Sequence, residues 1–242
     1  PVMNMGNYRD PKVCEEVLDR GDADFIGMGR GLIAEPHWPN KVARGEEDML
    51  RKCISCNVGC AGNRIGTNRP IRCTVNPAVA EGDYYKKFKI KKSCNVVVIG
   101  GGTAGLEAAC TAAEVGCTTF LVEKNDHLGG LSAFISDLPA KTRMKDFPKY
   151  LENRARALKN LFIFTGKEAD VDFVKTLNPD IIVNATGSVP LLPPIKGLKE
   201  NLEAGNVASI FDMINNYNAG KYPDEACAGK KVVVIGGGAV GL

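Results

Sequence analysis

The chain has 242 residues, of which 24% are charged and 44% are hydrophobic. Its 31 lysine and arginine residues nearly balance its 28 aspartate and glutamate residues, which argues against a nucleic-acid partner because such proteins carry a basic stripe. No apolar run approaches the roughly 18 residues that a membrane span needs, and we find no basic leader followed by an apolar run. We therefore expect a cytoplasmic protein that acts on small molecules and has no membrane partner. Because the chain begins at Pro1 and ends at Leu242 inside a motif, we also expect it to be a piece of a longer protein.

The first 50 residues alternate between short apolar runs and amphipathic stretches, which predicts two β/α units with parallel strands. The predicted order is a strand at 2–5, a helix at 10–18, a strand at 23–26 and a helix from about residue 35. The second strand ends in Gly27-Met28-Gly29-Arg30. Backbone N–H groups and a guanidinium at the end of such a strand suit a phosphate group, and a plain turn with a surface arginine is the alternative.

Four of the nine cysteines lie close together, in the pattern Cys53-x2-Cys56-x3-Cys60-x12-Cys73. In a reducing compartment such spacing indicates metal or redox chemistry rather than disulfides. Four thiolates, three of them on one tight loop, favour a [4Fe-4S] cluster. Zinc is the alternative, but structural zinc usually takes two Cys-x2-Cys pairs and the second pair is missing. The remaining cysteines have apolar neighbours and are predicted to be small buried side chains: Cys14, Cys94, Cys110, Cys117 and Cys227.

Strong apolar runs return after residue 92 and predict strands that are buried on both faces. The predicted strands cover residues 95–99, 118–122, 161–164 and 180–184, and the predicted helices cover 103–115 and 141–158. A proline-rich stretch at 189–194 is expected to be an extended linker. Residues 232–236 repeat the sequence Val-Val-Val-Ile-Gly of residues 96–100, so we predict a further strand and glycine loop there.

A glycine-rich loop, Gly100-Gly101-Gly102-Thr103-Ala104-Gly105, lies between a predicted strand and a predicted helix. Gly100 permits a tight turn, Gly102 lets the backbone approach a pyrophosphate, and Gly105 allows close packing of the helix on the strand. Free N–H groups in the first turn of the helix then face the phosphates. Glu123 ends the next strand, where an acidic residue is expected to hold the ribose hydroxyl groups. Together these features predict a dinucleotide site.

The repeated strand is followed by a second motif of the same kind, in which Gly236, Gly238 and Gly241 are the spaced glycines. Two such motifs in one chain imply two adenine dinucleotides, which we take to be a flavin and a nicotinamide dinucleotide. The residue that would distinguish NADH from NADPH is expected beyond the second motif.

The order of these motifs resembles the 2-enoate reductase and 2,4-dienoyl-CoA reductase family, relatives of trimethylamine dehydrogenase in the old yellow enzyme superfamily of NADH:flavin oxidoreductases. The resemblance covers essentially the whole chain and rests on the following residues: Gly6, Gly29, Arg30, the four spaced cysteines with Asn76-Pro77, the loop Gly100–Gly105, and Glu123. It implies an FMN-binding TIM barrel, a [4Fe-4S] cluster, and FAD and NAD(P)H domains. The implied fold class is α/β, a partial Rossmann-like domain preceded by the last β/α units of a barrel and an iron–sulfur loop.

The resemblance also implies four segments and their ligands. Residues 1–50 are expected to end the FMN barrel, 51–92 to hold the cluster and a linker, 93–228 to form the first part of the FAD domain, and 229–242 to begin the NAD(P)H domain. The implied FMN phosphate site is Gly6, Gly29 and Arg30, the implied cluster ligands are Cys53, Cys56, Cys60 and Cys73, and the implied further FAD residues are Lys124, Gly129, Gly130, Ala185, Thr186 and Gly187.

The implied activity is a relay in which NAD(P)H reduces FAD, electrons pass through the cluster, and FMN delivers hydride to an activated C=C bond. No catalytic acid is predicted within the chain, and the longer protein is expected to form a homo-oligomer. Two alternatives stay open. One is an amine dehydrogenase of the trimethylamine type that passes electrons to a partner flavoprotein. The other is an electron-transfer or nucleotide-binding module that has no catalysis of its own when isolated.

Overall fold

The structure of the chain is a computed structural model that describes residues 1–85, 88–221 and 228–237. It divides into two compact units, Pro1–Ser188 and Val189–Leu242. The first unit has three parts: a pair of β/α repeats, an irregular segment that holds the four spaced cysteines, and a four-stranded sheet with its helices.

The N-terminal segment of the first unit forms the two β/α repeats that the sequence predicts. Two short strands pair in parallel, with Met3 opposite Phe25. The Asp10 side chain accepts a hydrogen bond from the Lys12 backbone N–H and so caps the first helix, in which Pro11 takes the first position. The elements are β1 (Met3–Met5), α1 (Pro11–Asp19), β2 (Phe25–Gly27), α2 (Arg30–Ala34) and α3 (Trp38–Ala43), followed by a 3₁₀ turn at Glu47–Met49.

The predicted start of the second helix, at about residue 35, is wrong. The structure has two short helices, α2 and α3, with a break between them at Glu35, which is extended. Pro36 explains the break, since a residue that precedes proline is excluded from the helical region by contact with the proline ring.

The cysteine segment contains little regular structure apart from one tightly wound stretch. Residues Val58–Gly66 form a π-helix, and Gly82–Tyr85 form a 3₁₀ turn. The backbone N–H of Arg72 donates to the carbonyl oxygen of Gly59 at 2.6 Å, so the chain returns alongside the π-helix. A Cβ atom on Gly59 would lie 2.7 Å from the Arg72 carbonyl oxygen, which explains why glycine occupies this crossing.

A four-stranded parallel sheet forms the centre of the first unit. Its strand order is β5-β4-β3-β6, and every neighbouring pair is parallel. Val97 and Val98 of the central strand have no exposed surface, and neither does Leu106 of the helix that follows it. The elements are β3 (Asn95–Ile99), α4 (Thr103–Val115), β4 (Thr118–Val122), α5 (Gly130–Ser136), a 3₁₀ helix (Pro139–Lys145), α6 (Asp146–Arg156), β5 (Leu161–Phe164), α7 (Val171–Thr176) and β6 (Ile181–Asn184). The predicted α/β class with parallel strands is confirmed.

Helix α6 is fixed on α4 by a buried ion pair. Arg154 donates to Glu107 at 2.6 Å and to Glu114 at 2.6 and 2.8 Å, and it is 6% exposed. Burial would lower the pKa of Arg154, but the hydrogen bond and charge of Glu114, together with Glu107, raise it, so the guanidinium stays charged. The charged sequence at 141–158 therefore forms helix as predicted, with its first turn wound as 3₁₀.

In the second unit, the described residues form two helices, α8 (Leu198–Glu203) and α9 (Ile210–Asn218). A capping box starts α9, because Ser209 and Asp212 exchange hydrogen bonds between side chain and backbone. The strand predicted at 231–236 is wrong for this structure, since these residues are irregular and Val233 is 85% exposed. No described residue pairs with their backbone, and an extended segment without a hydrogen-bonded neighbour does not form a strand.

The predicted burial of the scattered cysteines is confirmed where the structure describes it. Cys14, Cys110 and Cys117 are buried and Cys94 is half-buried, whereas Cys227 lies outside the described residues. Burial raises the pKa of the Cys14 and Cys117 thiols, which keeps them protonated and inert.

None of the helices within the described ranges combines the length and apolar character that crossing a bilayer requires.

Candidate functional site

Three strands of the central sheet end side by side, and the predicted dinucleotide residues follow those ends directly. Ile99 lies opposite Val122 on one side and Asn184 on the other. The Gly100 N–H donates to the Val122 carbonyl and the Ala185 N–H donates to the Ile99 carbonyl, both at 2.8 Å. In parallel α/β sheets ligands bind beyond the carboxyl ends of the strands. The sheet therefore brings Gly100, Glu123 and Ala185 to one edge.

The glycine loop is shaped by contacts that exclude a side chain. Gly100 has φ +105°, and a Cβ atom there would lie 2.3 Å from the Ala185 carbonyl oxygen. A Cβ atom on Gly105 would lie 1.8 Å from the carbonyl oxygen of Gly100, so α4 packs against the loop at this point. Gly102 is different, because the nearest atom to its Cβ position is the Gly130 Cα at 3.9 Å. The space beside Gly102 is open, as a backbone that approaches a pyrophosphate requires.

A second pair of glycines closes on the first loop. The Gly129 N–H donates to the Gly101 carbonyl at 2.8 Å, and Gly129 forms a parallel bridge with Gly102. Gly129 and Gly130 have φ of +102° and +52°, in the region that favours glycine. The residues that only the family resemblance indicated thus lie against the loop that the spacing predicted.

The remaining predicted FAD residues lie around this loop and are accessible. Ala104 in the first turn of α4 is exposed, and so are Thr186 and Gly187 after β6. Lys124 is exposed as well, one residue beyond Glu123. Thr103 and Ala185 are half-buried. The exposed backbone of α4's first turn is available to phosphate oxygens, because the first N–H groups of a helix have no partner within the helix.

Glu123 is buried, at 7% exposure, and both of its carboxylate oxygens accept hydrogen bonds from the protein. Oε2 accepts from the Gly101 N–H at 2.6 Å. Oε1 accepts from the backbone and side-chain nitrogens of Asn125, both at 2.8 Å. The carboxylate therefore holds the glycine loop in addition to the ribose role predicted from its position.

The cysteine loop and the returning chain lie next to each other. The hydrogen bond between Arg72 and Gly59 places Cys73 and Cys60 one residue away from the same crossing. The Cys56 Sγ lies 3.2 Å from the Thr74 hydroxyl, which brings a second loop cysteine to the residue after Cys73. The Ser55 N–H donates to the Cys53 Sγ at 3.4 Å. The fold thus gathers all four predicted thiols into one region.

The thiols are gathered but do not form a closed metal site by themselves. Among the residues that the structure describes, no three His, Cys, Asp or Glu side chains lie close enough together to hold a metal ion. Burial raises the pKa of Cys73, and the Cys53 and Cys56 thiols add to that rise, against hydrogen bonds from the Val75 and Asn76 backbone that lower it. The protonated state of Cys73 is compatible with a cluster ligand, because a bound metal deprotonates coordinating thiols.

The resemblance assigns Gly6 and Gly29 to an FMN phosphate, and both have open space on the side where a side chain would project. A Cβ atom on either glycine would have no atom within 4 Å. Arg30 donates to the Asn57 side-chain oxygen at 2.5 Å, so its guanidinium reaches the cysteine segment. Gly29 precedes the first residue of α2, as the predicted strand-end position requires.

The N-terminal segment is joined to α6 of the sheet domain next to the cysteine loop. Arg9 donates to the Cys53 carbonyl at 3.0 Å and forms an ion pair with Asp146. The Lys41 and Arg51 cations lie over the Tyr150 ring, 5.8 and 5.7 Å from its centroid. These contacts place the three predicted sites within one compact unit.

For the second glycine motif, the structure describes only its first part. Gly236 has φ +115° and open space around its Cβ position. Gly238 and Gly241 lie outside the described residues.

Sequence reasoning missed several polar residues around these sites. Asn125 holds Glu123, Asn7 and Asn57 lie beside Arg30, and Ser55 lies next to Asn7. Asn7, Ser55 and Asn57 have positive φ values of 57 to 62°. Single Asn and Ser residues in loops do not form a spaced motif, so the sequence gives no pattern from which their role could be predicted. Arg143 was also missed, because it contacts Ser55 across 88 positions of sequence.

Two families of known proteins match the chain. Residues 94–242, and a shorter stretch at 80–147, match the family described as pyridine nucleotide-disulphide oxidoreductase. Residues 1–49 match the NADH:flavin oxidoreductase / NADH oxidase family. The four spaced cysteines, at 53–73, lie after the NADH:flavin oxidoreductase match, which ends at residue 49, and before the pyridine nucleotide-disulphide oxidoreductase match, which begins at residue 80.

Curated relatives match along the whole chain. An NADH oxidase of Thermoanaerobacter brockii is 42% identical over 245 residues, which cover 100% of this chain and 36% of the relative. A bilirubin reductase of Mediterraneibacter gnavus is 34% identical, and a cinnamate reductase of Clostridium sporogenes is 32% identical; the matches cover 100% of this chain and 35% and 34% of those proteins. The chain thus spans about a third of the length of these relatives.

Two solved structures superpose on most of this chain and, like the curated relatives, are much longer than it. A 2-naphthoyl-CoA reductase complex superposes with a TM-score of 0.83 at 28% identity, covering 90% of this chain and 32% of that one. A histamine dehydrogenase from Rhizobium sp. 4-9 superposes with a TM-score of 0.73 at 27% identity, covering 81% of this chain and 29% of that one.

Proposed function

Because the chain belongs to the pyridine nucleotide-disulphide oxidoreductase family and its first 49 residues match the NADH:flavin oxidoreductase / NADH oxidase family, we propose that it is part of a reductase that carries electrons from NAD(P)H through FAD and a [4Fe-4S] cluster to FMN. The family membership confirms the resemblance that the motifs indicated. The proposed substrate is a compound with an activated C=C bond, of the enoate or dienoyl type. The proposed partners are this small molecule and a nicotinamide dinucleotide, and a homo-oligomer stays a prediction.

One observation carries the proposal: an open Gly-Arg strand end, a cysteine loop and a glycine loop follow one another along one compact unit, with the cysteine loop in the middle. The FAD part rests on the open space at Gly102 and on the glycine pair that closes against it. The FMN part rests on the open backbone at Gly6 and Gly29 and on the Arg30 guanidinium beside them.

The cluster is proposed from its donor set. Cys53, Cys56, Cys60 and Cys73 would hold it, since the chain returns beside the π-helix at Arg72 and brings Thr74, the residue after Cys73, to Cys56. When bound, such a cluster supplies one-electron transfer between the two flavins. The thiol-rich loop and the N–H groups around it, such as that of Ser55, would set the cluster's environment.

The residues of this chain contribute binding and orientation rather than proton transfer to substrate. The first turn of α4 would hold the FAD pyrophosphate, and Glu123 would fix the loop that presents it. The contacts of Arg9 with Cys53 and Asp146 would hold the cluster loop against the FAD domain. We assign the role of catalytic acid to none of the predicted residues.

The proposal is tested by anaerobic titration of the whole protein with NADH and with NADPH. We expect the visible flavin absorbance to bleach with one of them and to return on addition of a cinnamate-like acid or an unsaturated thioester. The reduced product should appear in amounts equal to the nicotinamide oxidised. Flavin that stays oxidised with both nucleotides would refute the reductase.

An amine dehydrogenase is the second candidate, favoured by the superposition on histamine dehydrogenase and by a dimethylamine dehydrogenase of Hyphomicrobium that is 37% identical over 144 residues. Its signature is distinct. Under that function, a secondary or primary amine bleaches the flavin while NADH and NADPH do not, and an external electron acceptor restores the colour.

A further inference from the structure

Two arginines from distant parts of the chain meet at one asparagine. Nη2 of Arg30 lies 3.3 Å from one end of the Asn7 side-chain amide. Nη2 of Arg143 lies 3.0 Å from the other end, and Arg143 also donates to the Ser55 hydroxyl at 2.7 Å. Arg30 belongs to the N-terminal β/α segment, whereas Arg143 belongs to the 3₁₀ helix Pro139–Lys145 of the predicted FAD segment.

Within the described part of the chain, these two cations have no counter-charge beside them. Among the residues that the structure describes, neither guanidinium has a carboxylate within ion-pair distance, although fourteen other pairs such as Arg9 with Asp146 do occur. Their polar neighbours are neutral: Asn7, Ser55 and Asn57. Asn7 has a single amide oxygen, so it serves only one of the two guanidiniums at a time. Arginines that converge on neutral acceptors leave donors and positive charge for an anion.

The position of the pair indicates which anion. Asn7 follows Gly6 and Arg30 follows Gly29, and both glycines have open space on their Cβ side. Backbone at an open strand end with two guanidiniums nearby is a site for a phosphate dianion, since arginine binds phosphate oxygens bidentately.

We propose that Arg143 is the second guanidinium of the phosphate site formed by Gly6, Gly29 and Arg30, so that the FAD segment contributes directly to binding the phosphate of FMN. This inference rests on the FMN site of the proposed function and adds a residue that the motifs did not indicate. It makes FMN binding dependent on the docking of the segment that binds FAD, because Arg143 reaches the site only across that junction.

The test measures FMN and riboflavin binding to the flavin-depleted whole protein by quenching of flavin fluorescence. Arg143→Gln should weaken FMN binding about tenfold or more, as expected for one charge-assisted hydrogen bond, and leave riboflavin binding unchanged because riboflavin has no phosphate. Arg143→Lys should recover part of the affinity. Lys141→Gln is the matched control, since it removes a positive charge from an exposed residue of the same 3₁₀ helix.

The outcomes separate this inference from the proposed function. If Arg30→Gln weakens FMN binding and Arg143→Gln does not, the inference is overturned and the FMN site stands. If neither variant affects FMN, the FMN site itself is refuted. Equal losses of FMN and riboflavin in Arg143→Gln, or a loss equal to that in Lys141→Gln, would also overturn the inference.

Discussion

Gly102 and Gly105 are glycines of one loop that are needed for different reasons. The Cβ position of Gly105 is occupied by the backbone oxygen of Gly100 at 1.8 Å, whereas that of Gly102 is open to 3.9 Å. Gly102 also has a φ of −73°, which any residue adopts. Gly105 is therefore required by the fold, whereas the fold leaves room for a side chain at Gly102 and only the proposed pyrophosphate would require glycine there.

This difference predicts opposite effects for two alanine variants. Gly105→Ala should lower the free energy of unfolding by about 3 kcal/mol or more, because backbone atoms cannot move aside as a flexible side chain does. Gly102→Ala should change that free energy by less than about 1 kcal/mol, yet reduce the FAD content severely. Urea unfolding and flavin analysis of the whole protein check both. A Gly102→Ala protein with full FAD would show that the pyrophosphate does not pass this position.

Glu35 is a buried carboxylate, 2% exposed, at the break between α2 and α3. Burial would raise its pKa, but the hydrogen bond and charge of Lys41, at 2.6 Å, outweigh burial and hold the pKa below its ordinary value of 4.5. The backbone N–H groups of His37 and Arg51 also donate to it. A single side chain therefore ties the helix break to the residues that lead into the cysteine loop.

Glu35→Gln should lower the free energy of unfolding by about 3 kcal/mol at neutral pH, since it leaves Lys41 without its charge partner. A carboxyl group with a depressed folded-state pKa contributes its full stability above the unfolded-state value near 4.5 and loses it as the pH falls through the folded-state value. The difference between wild type and variant should therefore be constant above that pH and shrink below it. Glu46→Gln, in an exposed pair with Arg44, is the control and should show little difference at any pH. A Glu35 effect that does not vary with pH would refute the titration argument.

At the scale of elements, α6 is one of the contacts between the N-terminal segment and the sheet domain. Three of its residues, spaced one turn apart, face that segment: Asp146 pairs with Arg9, Tyr150 lies under two cations, and Asn153 donates to the Asp48 carbonyl at 2.8 Å. Positions i, i+4 and i+7 share one face of a helix. Arg154 follows Tyr150 by one turn, next to that face, and binds Glu107 and Glu114 of α4, so α6 contacts both the N-terminal segment and α4.

The aromatic ring of Tyr150 predicts a contrast between two substitutions. Tyr150→Leu should lower the free energy of unfolding by about 1–2 kcal/mol, because the Lys41 and Arg51 cations lose the ring face beneath them. Tyr150→Phe keeps the ring and should stay within about 0.5 kcal/mol of wild type. Denaturant unfolding of both variants is the measurement. Equal losses in the two variants would show that the hydroxyl group, and not the ring, makes the contact.

Elements could be predicted from sequence wherever they depend on local pattern. The runs Asn95–Ile99 and Thr118–Val122 are strands as predicted, because continuous apolar side chains and parallel pairing agree there. The same Val-Val-Val-Ile sequence at 232–235 is irregular and exposed, since a strand also depends on a neighbour that sequence alone does not reveal. At Pro36 a local rule was available, and the break in the helix could have been predicted from it.

At the scale of the whole molecule, the motifs could be predicted but their junctions could not. Spacing identified the glycine loop and the cysteine loop, because each depends on residues close in sequence. The contact of Arg143 with Ser55 joins residues 88 positions apart, and that of Asn153 with Asp48 joins residues 105 apart. Such polar contacts carry no periodicity, so only the folded chain shows that Arg143 of the sheet domain contacts the cysteine loop.

The cysteine loop lies where the N-terminal segment meets the sheet domain, because Arg9 contacts Cys53 and Arg143 contacts Ser55. Its metal content can be predicted from the proposed cluster. Anaerobically prepared whole protein should contain about four iron and four sulfide per chain, and each serine substitution at Cys53, Cys56, Cys60 or Cys73 should abolish most of it. Cys94→Ser is the control, since Cys94 is half-buried outside the loop. Removal of iron should also slow reduction of FMN by NAD(P)H while leaving reduction of FAD intact, because the cluster lies between them in the proposed order. Stoichiometric zinc without iron, or iron loss equal in the control, would contradict the cluster.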